Sequence, residues 1–402
     1  MKEPKIRFKG FNREWESDII GNIATFSKGR GYSKADLRSN GNPIVLYGRL
    51  YTNYSSVINN VDTFALLQKG SVLSKGNEVI IPGSGETPED IAVASAVQQK
   101  NVILGGDLNI VTFNPRKMIP TFAAMSITNS KTHQELSGYA QGKTVVHLHN
   151  SSIAKGHICY PSKDEQDVLI SYINSLDSLI QSTTKKIESL KQVKAASLQS
   201  MFPQEGETKP RVRFKGFEGE WNLKKFSELY EPSSIKNKSF GADKIISVAN
   251  MYFKPTSYIS NEDYLKSYNV MNIGDIAFEG NKSKDFAHGR FVENTIGDGI
   301  VSHVFIVLKP ISVQYDLQFW KYLINYERIM GPILLRSTKH STMMTDLVVS
   351  DFLKESILVP SFEEQKAIGN FLKNLDSQIT LQTQRLEKLK QIKSACLDNM
   401  FI

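Results

Sequence analysis

One long segment occurs twice in this 402-residue chain, and the repeat limits what the chain can fold into. Residues 161–202 (PSKDEQDVLISYINSLDSLIQSTTKKIESLKQVKAASLQSMF) and 360–401 (PSFEEQKAIGNFLKNLDSQITLQTQRLEKLKQIKSACLDNMF) align without a gap and share 18 of 42 positions. In the first copy Leu169, Ile173, Leu176, Ile180, Ile187 and Leu190 recur at alternating steps of four and three, with polar Thr183 in the series. Ile368, Leu372, Leu375, Ile379, Leu386 and Leu389 do the same around Gln382 in the second. That spacing predicts one long helix per copy with a narrow coiled-coil seam. Each helix is expected to start at its Pro-Ser pair, with Ser162 or Ser361 as cap and Glu165 or Glu364 closing a capping box. About 36 residues give a rod of roughly 54 Å. A helix could bury its stripe on its own domain alone, but the narrow seam and polar remaining faces favour a mutual antiparallel pair related by a pseudo-twofold axis.

A second repeat sits ahead of the first. PKIRFKGFNREW (residues 4–15) matches PRVRFKGFEGEW (residues 210–221) at an offset of 206, against 199 for the helices. Each half therefore reads as opening motif, variable region, long helix. Phe8, Phe11 and Trp15, with Phe214, Phe217 and Trp221, read as packing anchors rather than base-stacking groups. Arg7, Lys9, Arg213 and Lys215 fit either a phosphate contact or a solvated edge.

Both variable regions hold short β-rich runs between turns, among them PIVLYGRLYTNY, LNIVTFNP and SHVFIVLKP. GSVLSKGN (70–77) aligns with GDIAFEGN (274–281), and LNIVTFNP (108–115) stands where SHVFIVLKP (302–310) stands. An α+β chain is predicted: two α/β domains with β-rich cores, joined by a pair of long antiparallel coiled-coil helices as an internal duplication. The expected division is 1–160 for the first domain, 161–202 for its helix, 203–210 for a Pro-bounded polar linker, 211–359 for the second domain and 360–402 for the last helix. Such a circular order of repeats should bring the two ends of the chain near each other.

Composition excludes several classes. No run of about 18 apolar residues occurs and the charged opening has no signal-peptide core, so a cytoplasmic protein without a membrane span is expected. Cys159 and Cys396 lack CxxC spacing, which argues against a disulfide framework or a cysteine metal site. Gly83-Ser84-Gly85 reads as a short flexible loop without the context of a phosphate cradle. His147 and His149 would share a strand face but have no flanking ligands, so they read as ordinary histidines. Neither half has the Asn-Pro-Pro-aromatic or Asp-Pro-Pro-aromatic tetrapeptide of amino-methyltransferases. No catalytic residue and no metal site are expected.

A net charge of +8 favours a polyanionic partner. Candidate DNA-contacting groups in presumed loops are Lys28, Arg30, Tyr47, Arg49, Tyr51, Lys75, Asn77, Gln141 and Lys143 in the first half. In the second they are Asn250, Tyr252, Lys254, Asn281, Lys282, Lys284, Arg290, Lys339 and His340. Arg and Lys can pair with guanine O6 and N7, Asn and Gln with adenine, and other cations with phosphate.

The order and duplication of these pieces closely resemble the DNA-specificity subunit of Type I restriction-modification systems. The likeness covers the RFKGF…W motifs, the PS…EQ helix starts, the LDS and LKQ segments, the Met-Phe helix ends and the PQEGETKP junction. The resemblance implies two target-recognition domains that read the halves of a split double-stranded DNA site, with the helices as spacer. It implies two methyltransferase subunits and two restriction subunits as partners, and S-adenosylmethionine, ATP and magnesium in those partners rather than in this chain. Ile173, Leu176, Ile180, Ile187, Leu190, Leu372, Leu375, Ile379, Leu386 and Leu389 are the expected helix-pairing residues. The competing reading is a coiled-coil scaffold protein that binds DNA without specificity.

Overall fold

The computed structural model describes residues 3–255, 262–340 and 344–402. The chain divides into two compact units, 1–184 with 385–402, and 185–384, so each unit owns half of each long helix.

Unit one is built on a five-stranded sheet of β1 (Ala24–Lys28), β2 (Val57–Ile58), β3 (Glu78–Pro82), β5 (Ser95–Val97) and β6 (Leu108–Phe113), in the order β1-β6-β3-β5-β2. The two-residue β4 (Ser84–Gly85) follows β3 directly. Helix α1 (Pro120–Asn129) packs on the sheet, β7 (Val146–His147) pairs with β4, and α2 (Lys163–Met201) is the first long helix. Unit two has a four-stranded sheet of β8 (Tyr230–Ser233), β9 (Ile276–Glu279), β10 (Arg290–Glu293) and β11 (Ile306–Pro310), in the order β8-β11-β9-β10. Helix α3 (Leu317–Leu323), the hairpin β12 (Thr338–His340) to β13 (Thr345–Leu347), and α4 (Phe362–Met400) complete it.

Each long helix has 39 residues, about 58 Å at 1.5 Å per residue. Its seam does two jobs. The first turns bury Leu169, Ile173 and Leu176 in the core of unit one, and Ile368, Leu372 and Leu375 in that of unit two. The same cores take in the far end of the other helix: Leu389, Cys396, Met400 and Phe401 in unit one, and Leu190, Leu198, Met201 and Phe202 in unit two. Ile187 is buried, and Ile180, Ile379 and Leu386 are half-buried. Packing on the helix's own domain and pairing between helices are thus both present.

Within each unit the paired segments run antiparallel. In unit one Lys393 reaches Asp177 at 2.5 Å and Cys396 Sγ lies 3.9 Å from the Tyr172 hydroxyl. In unit two Lys194 reaches Asp376 at 2.6 Å. The two ion pairs are repeat copies. So are the aromatic triads at the helix ends: Trp15, Phe122 and Phe401 in one unit, Trp221, Phe319 and Phe202 in the other. Ile6 N–H donates to the Asn399 carbonyl at 3.0 Å, and Val212 N–H to that of Ser200 at 2.9 Å. The opening motif therefore seats on the end of the other copy's helix in both units, which explains why the Met-Phe ends are duplicated.

The EQ pair is a clamp rather than a capping box. Ser361 Oγ does accept from Glu364 N–H at 3.4 Å. The carboxylates go elsewhere: Glu165 accepts two hydrogen bonds from Arg7, at 2.7 and 2.8 Å, and Glu364 accepts two from Arg213, both at 2.7 Å. The neighbouring glutamines hold the loop before the first domain helix, Gln166 Oε1 accepting from Ile119 N–H and Gln365 Oε1 from Asp316 N–H. The structure thus gives Arg7 and Arg213 a place inside the frame, each guanidinium fork matched to a nearly buried carboxylate. Phe8 and Phe214 are packing anchors, edge-on to Tyr172 and Phe371.

The sheets also correct one alignment. Val79 pairs with Val111 on one side and Ala96 on the other, as Ile276 pairs with Leu308 and Glu293. The segment equivalent to Asp275–Asn281 is therefore Glu78–Ser84, and GSVLSKGN is a turn and loop preceding the strand. The matches of Gly70 with Gly274 and of Gly76 with Gly280 were coincidental: Gly76 has positive φ in a turn before its strand, while Gly280 follows its strand without it.

Candidate nucleic-acid interface

The start of each long helix occupies one end of its sheet. In unit one Lys163 and Gln166 bond the carbonyls of Pro115 and Lys117, just past the end of β6. The opposite end, where β1 and β3 finish and β6 begins, is left to loops. The same holds in unit two, where Gln365 bonds Gln314 and Asp316 beyond β11. These free ends are the candidate interface.

In unit one Gly29 N–H donates to Leu108 and Arg30 N–H to Leu104, which seats Lys28 and Arg30 beside the start of β6. Gly83 N–H donates to the Asp107 carbonyl, and the Ser84 hydroxyl to the Asp107 carboxylate. Gly83-Ser84-Gly85 is consequently not a flexible loop. It is buried, with β4 paired to β7, and a Cβ on Gly83 would come within 2.6 Å of Asp107 Oδ1. The Tyr51 hydroxyl donates to the Ser84 carbonyl at 2.7 Å, and its burial pushes the phenol up, so it stays a donor. Tyr47 stands edge-on to Tyr51. Gln141 and His147 exchange backbone hydrogen bonds, which folds residues 141–147 into a small hairpin carrying exposed Gln141 and Lys143. His147 and His149 are exposed on it with parallel rings 6.3 Å apart. Asn109, buried, donates to the carbonyls of Pro82 and Leu148 and so ties hairpin to sheet.

Lys28, Arg30, Tyr47, Tyr51, Gln141 and Lys143 are thus brought to one end. Three candidates are not available there. Lys75 and Asn77 lie at the opposite end of β3, in a turn whose amides donate to the buried Glu78 carboxylate. Arg49 is bound to Asp62 at 2.6 Å and to the Asn60 carbonyl.

Unit two organises its free end differently. Arg290 bonds Glu279 at 2.8 Å and the Ala249 carbonyl at 2.7 Å, with its guanidinium over the Phe286 ring. That residue joins three pieces: the turn carrying Asn250 and Tyr252, the end of β9, and the loop of residues 280–289 carrying Asn281, Lys282 and Lys284. Thr345 locks the loop from above, its N–H and hydroxyl donating to Gly280 and the hydroxyl also lying 3.0 Å from the His288 carbonyl. A Cβ on Gly280 would meet the Thr345 carbonyl at 2.2 Å, so no other residue fits. Lys339 lies on the same hairpin, opposite Asp346. The side chain of His340 lies outside the described residues. Lys254 sits at the open end of its hairpin, away from Arg290, its N–H bonded to Ile245. Arg290 itself positions these loops through its Nε and Nη2 donors.

The sequence reading did not single out Asp107 of unit one or Val304 of unit two, which the structure places at the free ends. By the strand register Val304 stands where Asp107 stands, and it is 69% exposed. The Gly105-Gly106-Asp107 turn ahead of a strand was the available signal. Among the described residues no group of three or more His, Cys, Asp or Glu could hold a metal, and no helix is long and apolar enough to cross a membrane.

Comparison with known proteins gives a consistent result. The family described as the Type I restriction modification DNA specificity domain matches residues 12–192 and 218–391. The Type I restriction enzyme MjaVIII specificity subunit of Methanocaldococcus jannaschii is 23% identical over 296 residues, a match spanning 65% of this chain and 65% of that protein. Among solved structures, the Type I S subunit from M. genitalium superposes with a TM-score of 0.58 at 14% identity, covering 100% of this chain and 99% of the other. The HsdS subunit from Thermoanaerobacter tengcongensis gives 0.52 at 15% identity, with 96% of each chain covered. At these identities the structures speak to the fold.

Proposed function

Since the chain belongs to the Type I restriction modification DNA specificity family, we propose that it is the DNA-reading subunit of a Type I complex, each unit reading one half of a bipartite site. The observation that carries this is a repeated frame with unlike ends: four antiparallel strands in the same order and the same helix start in both units, finished by different loops rich in Lys, Asn, Gln and Tyr. A protein that merely held DNA by charge would have no use for two differently built ends, because phosphate contacts carry no sequence information.

On this reading the helices set the unread spacer and dock the methyltransferase subunits. Val193 and Ile392 support the docking, being repeat-related residues left 44% and 37% exposed on the long helices. Methylation and cleavage, with S-adenosylmethionine, ATP and magnesium, are assigned to methyltransferase and restriction partners. Adenine must leave the stack to be methylated, so those partners need DNA held in register. Mapping methylated adenines in cells with and without this chain tests the proposal. A bipartite methylated motif that disappears with the chain supports it, and an unchanged pattern refutes it.

A further inference from the structure

The geometry points to Asp107 as a specificity-determining residue of unit one, one that requires an exocyclic amino group, from cytosine or adenine, at one position of the half-site. This rests on the proposed DNA-reading role and adds the chemistry of one contact to it.

Asp107 is exposed at the free end of the sheet, in the turn that starts β6, and its φ of 61° is a conformation that side chains other than Gly, Asn and Asp adopt at a cost. Its carboxylate accepts from the Ser84 hydroxyl, and Ser84 is in turn fixed by the Tyr51 hydroxyl and by pairing with His147. Oδ1 lies over Gly83, where the missing side chain leaves it room. Asp107 forms no ion pair among the described residues, although Lys28 and Arg30 flank the same end and Lys143 is carried on the adjoining hairpin. A carboxylate held in place yet left without a cation is misplaced for phosphate binding, since it repels the backbone.

Against a base edge the same group is informative. An ionised carboxylate can only accept. In the major groove cytosine N4 and adenine N6 are donors, while thymine O4 and guanine O6 are acceptors. Facing a donor, Asp107 exchanges its water for a charge-assisted hydrogen bond. Facing an acceptor, it loses water and gains repulsion, so the wrong bases are rejected as well as the right one preferred. Unit two has apolar Val304 at this position and cannot impose the same rule.

The test is selection of bound duplexes from a randomised library by the full chain in the complex it forms with its host's partner proteins. The wild-type complex should fix one position of one half-site as cytosine or adenine. Asp107→Asn tolerates the same φ and supplies both a donor and an acceptor. It should admit guanine and thymine there and lower discrimination about 10- to 100-fold, with every other position unchanged. Asp107→Gly, which relieves the backbone and deletes the carboxylate, should flatten the same position. A folded variant complex, checked by thermal melting, that selects the wild-type sequence overturns the assignment, as does a loss spread evenly over both half-sites. A wild-type complex that selects no sequence refutes the DNA-reading role itself.

Discussion

The two units agree closely where the long helices enter them and differ where their sheets end in loops. At the helix end each has the Arg–Glu fork, the glutamine clamp, the Trp-Phe-Phe triad and one Lys–Asp pair. At the free end unit one fixes a short hairpin through Ser84, Asp107 and Asn109, while unit two fixes a ten-residue loop through Arg290 and Thr345. Two of the shared contacts, the Arg–Glu forks and the Lys–Asp pairs, join segments more than 150 residues apart in sequence. The divergent ones join neighbouring loops. A chain built this way can change what its ends touch without disturbing what holds them.

If the frames are equivalent, the same damage should cost the same in each. Arg7→Met leaves Glu165, 2% exposed, without its partner, and Arg213→Met does this to Glu364 at 1%. Each should lose about 3–5 kcal/mol, because a buried carboxylate without a cation is the costly product. Urea unfolding of the two variants reads this, and unequal losses would break the symmetry.

The cores differ at one buried acid. Glu293 is 2% exposed, while Ala96 has its place in unit one. Burial pushes its carboxyl up to about 9, the Tyr315 hydroxyl donating to it at 2.6 Å. A carboxyl raised in the folded state keeps its proton while the unfolded chain loses it, so stability is full below about pH 4.5 and falls as pH rises toward 9. Asp275, pushed up to about 6, adds a smaller fall of the same sign at lower pH. Glu293→Gln should flatten the upper part of this decline and stabilise unit two by roughly 1–3 kcal/mol at pH 8. Calorimetry at pH 6 and 8 measures it, and equal gains at both would contradict the account.

The smallest effect concerns the helix pairs. Lys194–Asp376 receives an added hydrogen bond from the Tyr322 hydroxyl at 2.6 Å, where unit one has Met125. Double-mutant cycles should give about 0.2–1 kcal/mol for both pairs, the larger value belonging to unit two. A larger value for Lys393–Asp177 would deny Tyr322 a role.

The long helices were legible because their apolar spacing is local. The destination of Glu165 was not: a carboxylate three residues inside a helix looks like a capping group until a guanidinium 158 positions away is seen to take it. Residue type alone led to Lys28, Arg30, Tyr47, Tyr51, Gln141 and Lys143, which the fold gathers at one end of the sheet. Lys75, Asn77 and Arg49 failed because the end of the strand a loop belongs to, and which acid a cation has already met, depend on register and long-range folding. Asp107 was passed over because an acid is the wrong sign for a DNA face until its hydrogen bonds show that it is held there.

The most direct test exchanges residues 16–160 for the corresponding region of another family member and maps methylated adenines in cells carrying the hybrid. The account predicts that one half-site changes and the other keeps its bases, because unit one's Arg7–Glu165 fork and Lys393–Asp177 pair, and every contact of unit two, lie outside the exchanged segment. A change in both half-sites, or in neither, in an active complex would contradict the claim that each unit reads independently on a common frame.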